Sequence, residues 1–243
     1  SFPARPSPVL AAISAPADIE RWGLAVINKA LEERDFRTRF SAVEATGQFR
    51  CDFLAPVCEE TLHAALALGA VPAGPALESE PPSAQPAPRG YDVLLYYGHA
   101  LHSDELGTRL VLEHPESGRV QLYDGDELIG AIQKLDRSHR PSMVVLVACN
   151  SAVSGELNSL AARLIIEAGV AAVLAMQRLV EISLARSFTF HLSEHLLRDG
   201  VIDQAVNAAR RRVFQPDQVG WTTPVLYMRN AEDAVLNTAG DAL

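Results

Sequence analysis

Residues 142–151 read SMVVLVACNS, and residues 170–177 read VAAVLAMQ. Neither run alternates apolar with polar residues, so neither has a solvent face, and a strand buried on both faces belongs in the middle of a parallel sheet covered by helices. VLAAISAP (9–16) and YDVLLYYGHA (91–100) have the same character. Segments of helical period stand between these runs, the pattern of parallel strands joined by crossover helices. The fold class is therefore α/β.

The helical segments follow from spacing. Asp18 precedes Ile19, Leu24, Ile27 and Leu31, which predicts a helix ending by Arg34. Phe36, Thr38 and Phe40 alternate, so FRTRFSAVEA (36–45) is expected as a strand, with a crossover helix over Cys58–Leu68. TRLVLEH and RVQLYD, split by PESG, predict a hairpin, followed by a helix from Asp126 to about Leu135. Leu160, Leu164 and Ala168 mark a helix from about Leu157 that stops at Gly169. Leu184, Phe188, Leu192 and Leu196 mark a longer one closed at Gly200, and another runs from Ile202 to Val213, before Pro216. TTPVLYMR (222–229) is expected as a last strand, at an edge because of Pro224. PAGPALESEPPSAQPAPRG (72–90) has no period and too few donors for a central strand, and is expected as an exposed insertion loop. Residues 1–243 are expected to form a single domain with that insertion.

At 243 residues and 26.2 kDa the chain has ample length for a core, and its 48% apolar and 21% charged content excludes a disordered or collagenous chain. A net charge of −9 argues against a basic face for nucleic acid or anionic lipid. No apolar run approaches the roughly 18 residues of a membrane span. Arg5 precedes an apolar stretch as in a signal peptide, but VLAAISA is at the short limit of such a segment and reads as a strand. The chain begins at Ser1, as a processed or excised piece of a longer protein would. Cys51, Cys58 and Cys149 are odd in number and lack CxxC spacing, which fits a reducing cytoplasm.

Two reactive side chains stand at equivalent places. His99 ends the strand YDVLLYYG and Cys149 ends MVVLVA. Ligands of a parallel sheet sit beyond the carboxyl ends of its strands, and a right-handed crossover through the intervening hairpin and helix brings both ends to one rim. An imidazole beside a thiol raises its thiolate fraction or takes its proton during attack, then protonates a leaving amine. The backbone N–H groups of Ala100 and Cys149 are candidate oxyanion donors. Taken singly, Cys149 reads as a small buried hydrophobe and His99 as a loop histidine; the pair shifts both readings towards catalysis. Cys51 and Cys58 read as structural. His191 and His195 are four apart but lack an HExxH frame, so a helix surface is preferred to a metal site. Arg210, Arg211 and Arg212 read as a solvated face, and no phosphate-loop motif is present. No cofactor and no metal are expected.

YDVLLYYGHA, VVLVACNSA, AGVAAVLAMQRLVEISLARSF, VIDQAVNAARRRVF and WTTPVLYMR, in this order over residues 90–229, resemble the CHAT domain, a caspase-like and separase-like cysteine peptidase group of bacteria. The resemblance implies a caspase-like three-layer sandwich, with a mostly parallel sheet, helices on both faces and an inserted β-hairpin. It implies His99 as general base and Cys149 as nucleophile. The family has Gly-His-Gly where this chain has Gly98, His99 and Ala100. It further implies that the loop beginning Met176, Gln177, Arg178 lines the pocket for the residue before the cut, and that Glu181 or Asp104 would suit a basic residue there. The plainer reading of Glu181, a helix cap, ranks first.

The leading expectation is a cytoplasmic cysteine endopeptidase without cofactor. The resemblance adds a defence or cell-death effector, a protein substrate such as a bacterial gasdermin, and a sensor or TPR-type regulatory partner, with neither nucleic acid nor membrane as partner. The alternative, motivated by Ala100 and the insertion, is a caspase-like scaffold acting as a protein-binding module. A small-molecule hydrolase lacks the GxSxG elbow and ranks last.

Overall fold

The computed structural model describes residues 6–45, 49–71, 89–148, 159–178, 180–216 and 219–230. The Pro-rich segment expected as a loop lies outside these except for Arg89 and Gly90, and Cys149 lies outside them as well.

Six strands form the main sheet: β1 (Ser7–Ile13), β2 (Phe49–Phe53), β3 (Val93–Tyr97), β7 (Met143–Val147), β8 (Ala172–Met176) and β9 (Pro224–Met228). Their order is β2-β1-β3-β7-β8-β9. All neighbours are parallel except β8 and β9. Pro224 thus opens an antiparallel edge strand, where its missing N–H costs no central ladder bond. The non-alternating runs behave as expected: β1, β3, β7 and β8 are buried along their whole length.

Period-two geometry splits each strand between two cores. Val9, Leu95, Val145 and Leu174 face one layer, formed by α1 (Lys29–Glu44), α5 (Ile182–Asp199) and α6 (Ile202–Val213). Leu10, Leu94, Val144 and Val173 face the other, formed by α2 (Glu59–Leu68), α3 (Gly125–Lys134) and α4 (Leu160–Ile166). Phe188, fully buried at the centre of α5, anchors the first layer, and truncating such a ring costs about 3–5 kcal/mol. Among the described residues no helix is long and apolar enough to cross a membrane.

Two local expectations are corrected. The helix expected from Asp18 to Arg34 is a 3₁₀ turn at Ile19–Trp22, stopped by Gly23 in the left-handed region (φ 68°). An irregular stretch follows, and α1 begins at Lys29, where Asn28 Oδ1 accepts from the Leu31 N–H and so caps the helix. The strand expected over 36–45 is the body of α1: Phe36 and Phe40 are one helical turn apart with rings stacked at 5.9 Å, a spacing that three alternating residues did not distinguish from a strand. The strand that pairs with β1 is Phe49–Phe53 instead.

The expected hairpin is present as β5 (Gly107–Glu113) and β6 (Val120–Asp124), with β4 (Ala100–Ser103) adding a third antiparallel strand. After β1 the chain goes to β2 on one side, whereas after β3 the sheet builds towards β7 on the other. Between β1 and β3 the direction reverses, the place where an open α/β sheet leaves a crevice beyond its carboxyl ends.

Candidate active site

His99 follows β3 at that crevice and is 8% exposed. Its Nε2 lies 2.7 Å from the carbonyl oxygen of Ala25, in the stretch between β1 and α1. A carbonyl only accepts, so Nε2 carries the proton, and in the neutral ring Nδ1 is then the basic nitrogen. Burial lowers the imidazole below its usual range, and the bond to Ala25 partly opposes this. Burial therefore favours the neutral ring.

The backbone around His99 is pinned from both sides. The Tyr96 hydroxyl lies 2.8 Å from the carbonyls of both His99 and Val111 and donates between them. The Val111 N–H donates to the His99 carbonyl at 3.0 Å, and the Ser14 hydroxyl donates to that of Val111 at 2.7 Å. Gly98 is required by this closeness: a Cβ there would sit 2.5 Å from the Tyr96 hydroxyl oxygen. Ala100, by contrast, opens the extended strand β4, a conformation open to any residue, so its departure from Gly-His-Gly brings no backbone strain. It pairs with Leu110, next to the hydrogen-bonded pair of His99 and Val111, and ladder alternation turns its N–H away from β5.

A small cavity of about 30 Å³ opens beside the ring, lined by Ile27, Tyr97, Val147, Val180, Ile182 and Ala185 among others. Strands β3 and β7 are thus brought together at their carboxyl ends, with Tyr97 opposite Val147 and the Gly98 N–H donating to the Val147 carbonyl at 3.2 Å.

Met176 is buried at the end of β8. Gln177 is tied to the segment before β9, its N–H to the Thr223 carbonyl and its side chain to that of Thr222, both at 3.0 Å. Glu181 occupies the N-cap position of α5 without a side-chain cap bond, and its neighbours Val180 and Ile182 line the cavity. Asp104 sits fully exposed beyond β4 and is not among the residues lining the cavity. Among the described residues, no three His, Cys, Asp or Glu side chains group as a metal site.

Sequence reasoning missed the group that His99 touches. Ala25 acts through its main chain, which no side-chain pattern announces. It also missed Glu113, buried at the end of β5 and bonded to three separate segments; the one available signal was a carboxylate directly continuing the apolar run LVL.

The fold is shared with cysteine proteases of known structure. The Drosophila initiator caspase Dronc superposes with a TM-score of 0.56 at 9% identity, over 94% of this chain and 81% of that one. The Arg-specific cysteine proteinase gingipain R gives 0.55 at 11% identity, over 94% and 47%. The complex of RgpB pro- and mature domains from Porphyromonas gingivalis gives 0.52 at 12%, over 94% and 48%. The chain spans about half the length of these gingipain chains. No curated protein matches it in sequence. The CHAT domain profile matches residues 2–230, nearly the whole length, and with a caspase-like sheet beneath that match the chain belongs to the CHAT domain family.

Proposed function

We propose that the protein is a cysteine endopeptidase in which His99 is the general base and Cys149 the nucleophile. The observation that carries the reading is the Nε2 contact with Ala25, which leaves Nδ1 as a base at the rim where β7 ends, two residues before Cys149 in sequence. In the reaction Nδ1 takes the thiol proton as sulfur attacks the scissile carbonyl carbon. The oxyanion accepts from the N–H groups of Ala100 and Cys149. The imidazolium then protonates the departing amine, and water, activated by the same nitrogen, hydrolyses the thioester and restores the thiol. No step calls on a cofactor.

The residue before the cut meets the segment from Met176 and Gln177 towards Glu181. Of the two carboxylates considered, Glu181 or Asp104, the one beside the cavity is Glu181, which suits a basic residue, and the gingipain neighbour is Arg-specific. The substrate is a protein, a bacterial gasdermin among the candidates, in a defence or cell-death role in the cytoplasm, with a sensor or TPR-type partner controlling activity.

Mass spectrometry after limited treatment with an iodoacetamide probe tests the nucleophile. Cys149 should label at least about tenfold faster than Cys58, which is buried, and Cys51, whose thiol is pushed up by burial. The rate at Cys149 should fall in His99→Gln. Equal labelling of all three cysteines would instead favour the non-catalytic scaffold. A peptide panel with Arg, Lys, Leu and Asp before the cut then tests the pocket, and cleavage after Asp alone overturns the basic preference.

A further inference from the structure

The Glu113 carboxylate gathers three pieces of chain. Oε1 accepts from the Ala15 N–H at 3.1 Å, Oε2 from the Val57 N–H at 3.0 Å, and Lys29 Nζ donates to both oxygens at 2.6 and 2.9 Å. Ala15 follows β1, Val57 follows β2, and Lys29 is the first residue of α1. The stretch from 15 to 29 is therefore fastened at both ends to one carboxylate, and Ala25 lies four residues from the nearer fastening. Much of what lies between is irregular, and the Ala25 residue itself is exposed. Local secondary structure does not fix where that carbonyl points; what the segment is tied to does, namely Glu113 at both ends, the Gly118 carbonyl and Val120 N–H at Ala17 and Asp18, and the core beneath the buried Ile27.

Both partners of the His99 contact are thus referred to one strand. Val111 of β5 holds the His99 main chain, and Glu113, two residues on, holds the ends of the segment that carries the acceptor. We propose that Glu113, acting with Lys29, is the positioning residue of this site: it sets the Ala25 carbonyl against His99 Nε2 and so keeps the imidazole with its proton on that nitrogen and Nδ1 as the base. The inference rests on the peptidase reading for its catalytic meaning. The tie itself is a property of the resting protein.

The test reads the ring proton directly. In the ¹⁵N-labelled chain, with the signal assigned by its loss in His99→Gln, the Nε2–H of His99 should exchange slowly with water. In Glu113→Gln and Lys29→Met it should exchange about tenfold faster, the worth of one hydrogen bond. Lys29→Arg should restore the wild-type rate. Arg163→Met, which removes a surface ion pair with Asp126 and Glu167, should leave it unchanged. Lys29→Met keeps both main-chain donors on the carboxylate and serves where Glu113→Gln does not fold. An unchanged rate in a folded Lys29→Met overturns the proposal, as does equal acceleration in Arg163→Met. Absence of peptidase turnover in the wild type would count against the proposed function and leave these rates as they are.

Discussion

Two buried carboxylates hold the first turn of α1, and they do it differently. Glu32 is fully buried and faces Arg186 of α5: the guanidinium Nε lies 2.9 and 3.0 Å from its two oxygens, and Nη2 completes the fork. Glu113 reaches the same helix from β5, but half of its bonds are to main-chain N–H groups of segments that belong to neither element. The first arrangement joins two helices through side chains alone. The second sets backbone positions, so its loss is felt wherever that backbone leads, including at Ala25. The difference separates a tie that stabilises from one that also steers.

The largest expected effect breaks the steering tie. Glu113→Ala leaves the Ala15 and Val57 donors without their acceptor and Lys29 without its anion; at about 1–3 kcal/mol for each buried unmet group, the variant should lose several kcal/mol in urea unfolding together with the protected His99 proton. Arg186→Met comes next. It strands the Glu32 carboxylate in the core at a cost of about 3–5 kcal/mol. Where the variant stays folded, the His99 proton should keep its protection, because the Glu113 tie to Ala15, Lys29 and Val57 is unchanged. If Arg186→Met exposes that proton as strongly as Glu113→Ala does, the two ties are not distinct.

Acid sharpens the contrast by a smaller amount. The folded-state imidazole of His99 lies below its usual range, so the unfolded chain binds that proton more readily. Stability contributed by the neutral ring is fully present above about pH 6.5 and is lost as pH falls through the lower folded-state value. His99→Gln should flatten this part of a stability profile, and Arg186→Met should not. The smallest effect belongs to the surface. Arg163→Met removes the pair with Asp126 and Glu167 at a side chain 31% exposed, and should cost less than about 1 kcal/mol, a cost that shrinks further at added salt.

The parts of this picture that were legible in the sequence are those carried by long apolar runs. β1, β3, β7 and β8 announce themselves because burial on both faces leaves no polar phase, and His99 is conspicuous as a reactive residue directly after such a run. The region from 18 to 45 departs from its sequence pattern for a physical reason: Phe36 and Phe40 fit a helix as well as a strand, and Gly23 ends its turn before the apolar positions beyond it can form one continuous stripe. The Ala25 acceptor was invisible because a carbonyl is common to every residue. Glu113 reads as the polar end of a strand until the fold brings Ala15, Lys29 and Val57 to it, and contacts this remote in sequence leave no local period.

The placement of β1 between β2 and β3 has a practical consequence for anyone trimming this chain. A minimal fragment cut to residues 90–229, where the family signature is densest, would retain the imidazole and discard its acceptor. It would also strip β3 of its neighbour on one side, turning a fully apolar inner strand into a bare margin with unmet backbone donors, the kind of surface on which chains stack into aggregates. The inconspicuous first strand thus covers an edge that the recognisable remainder would otherwise leave open.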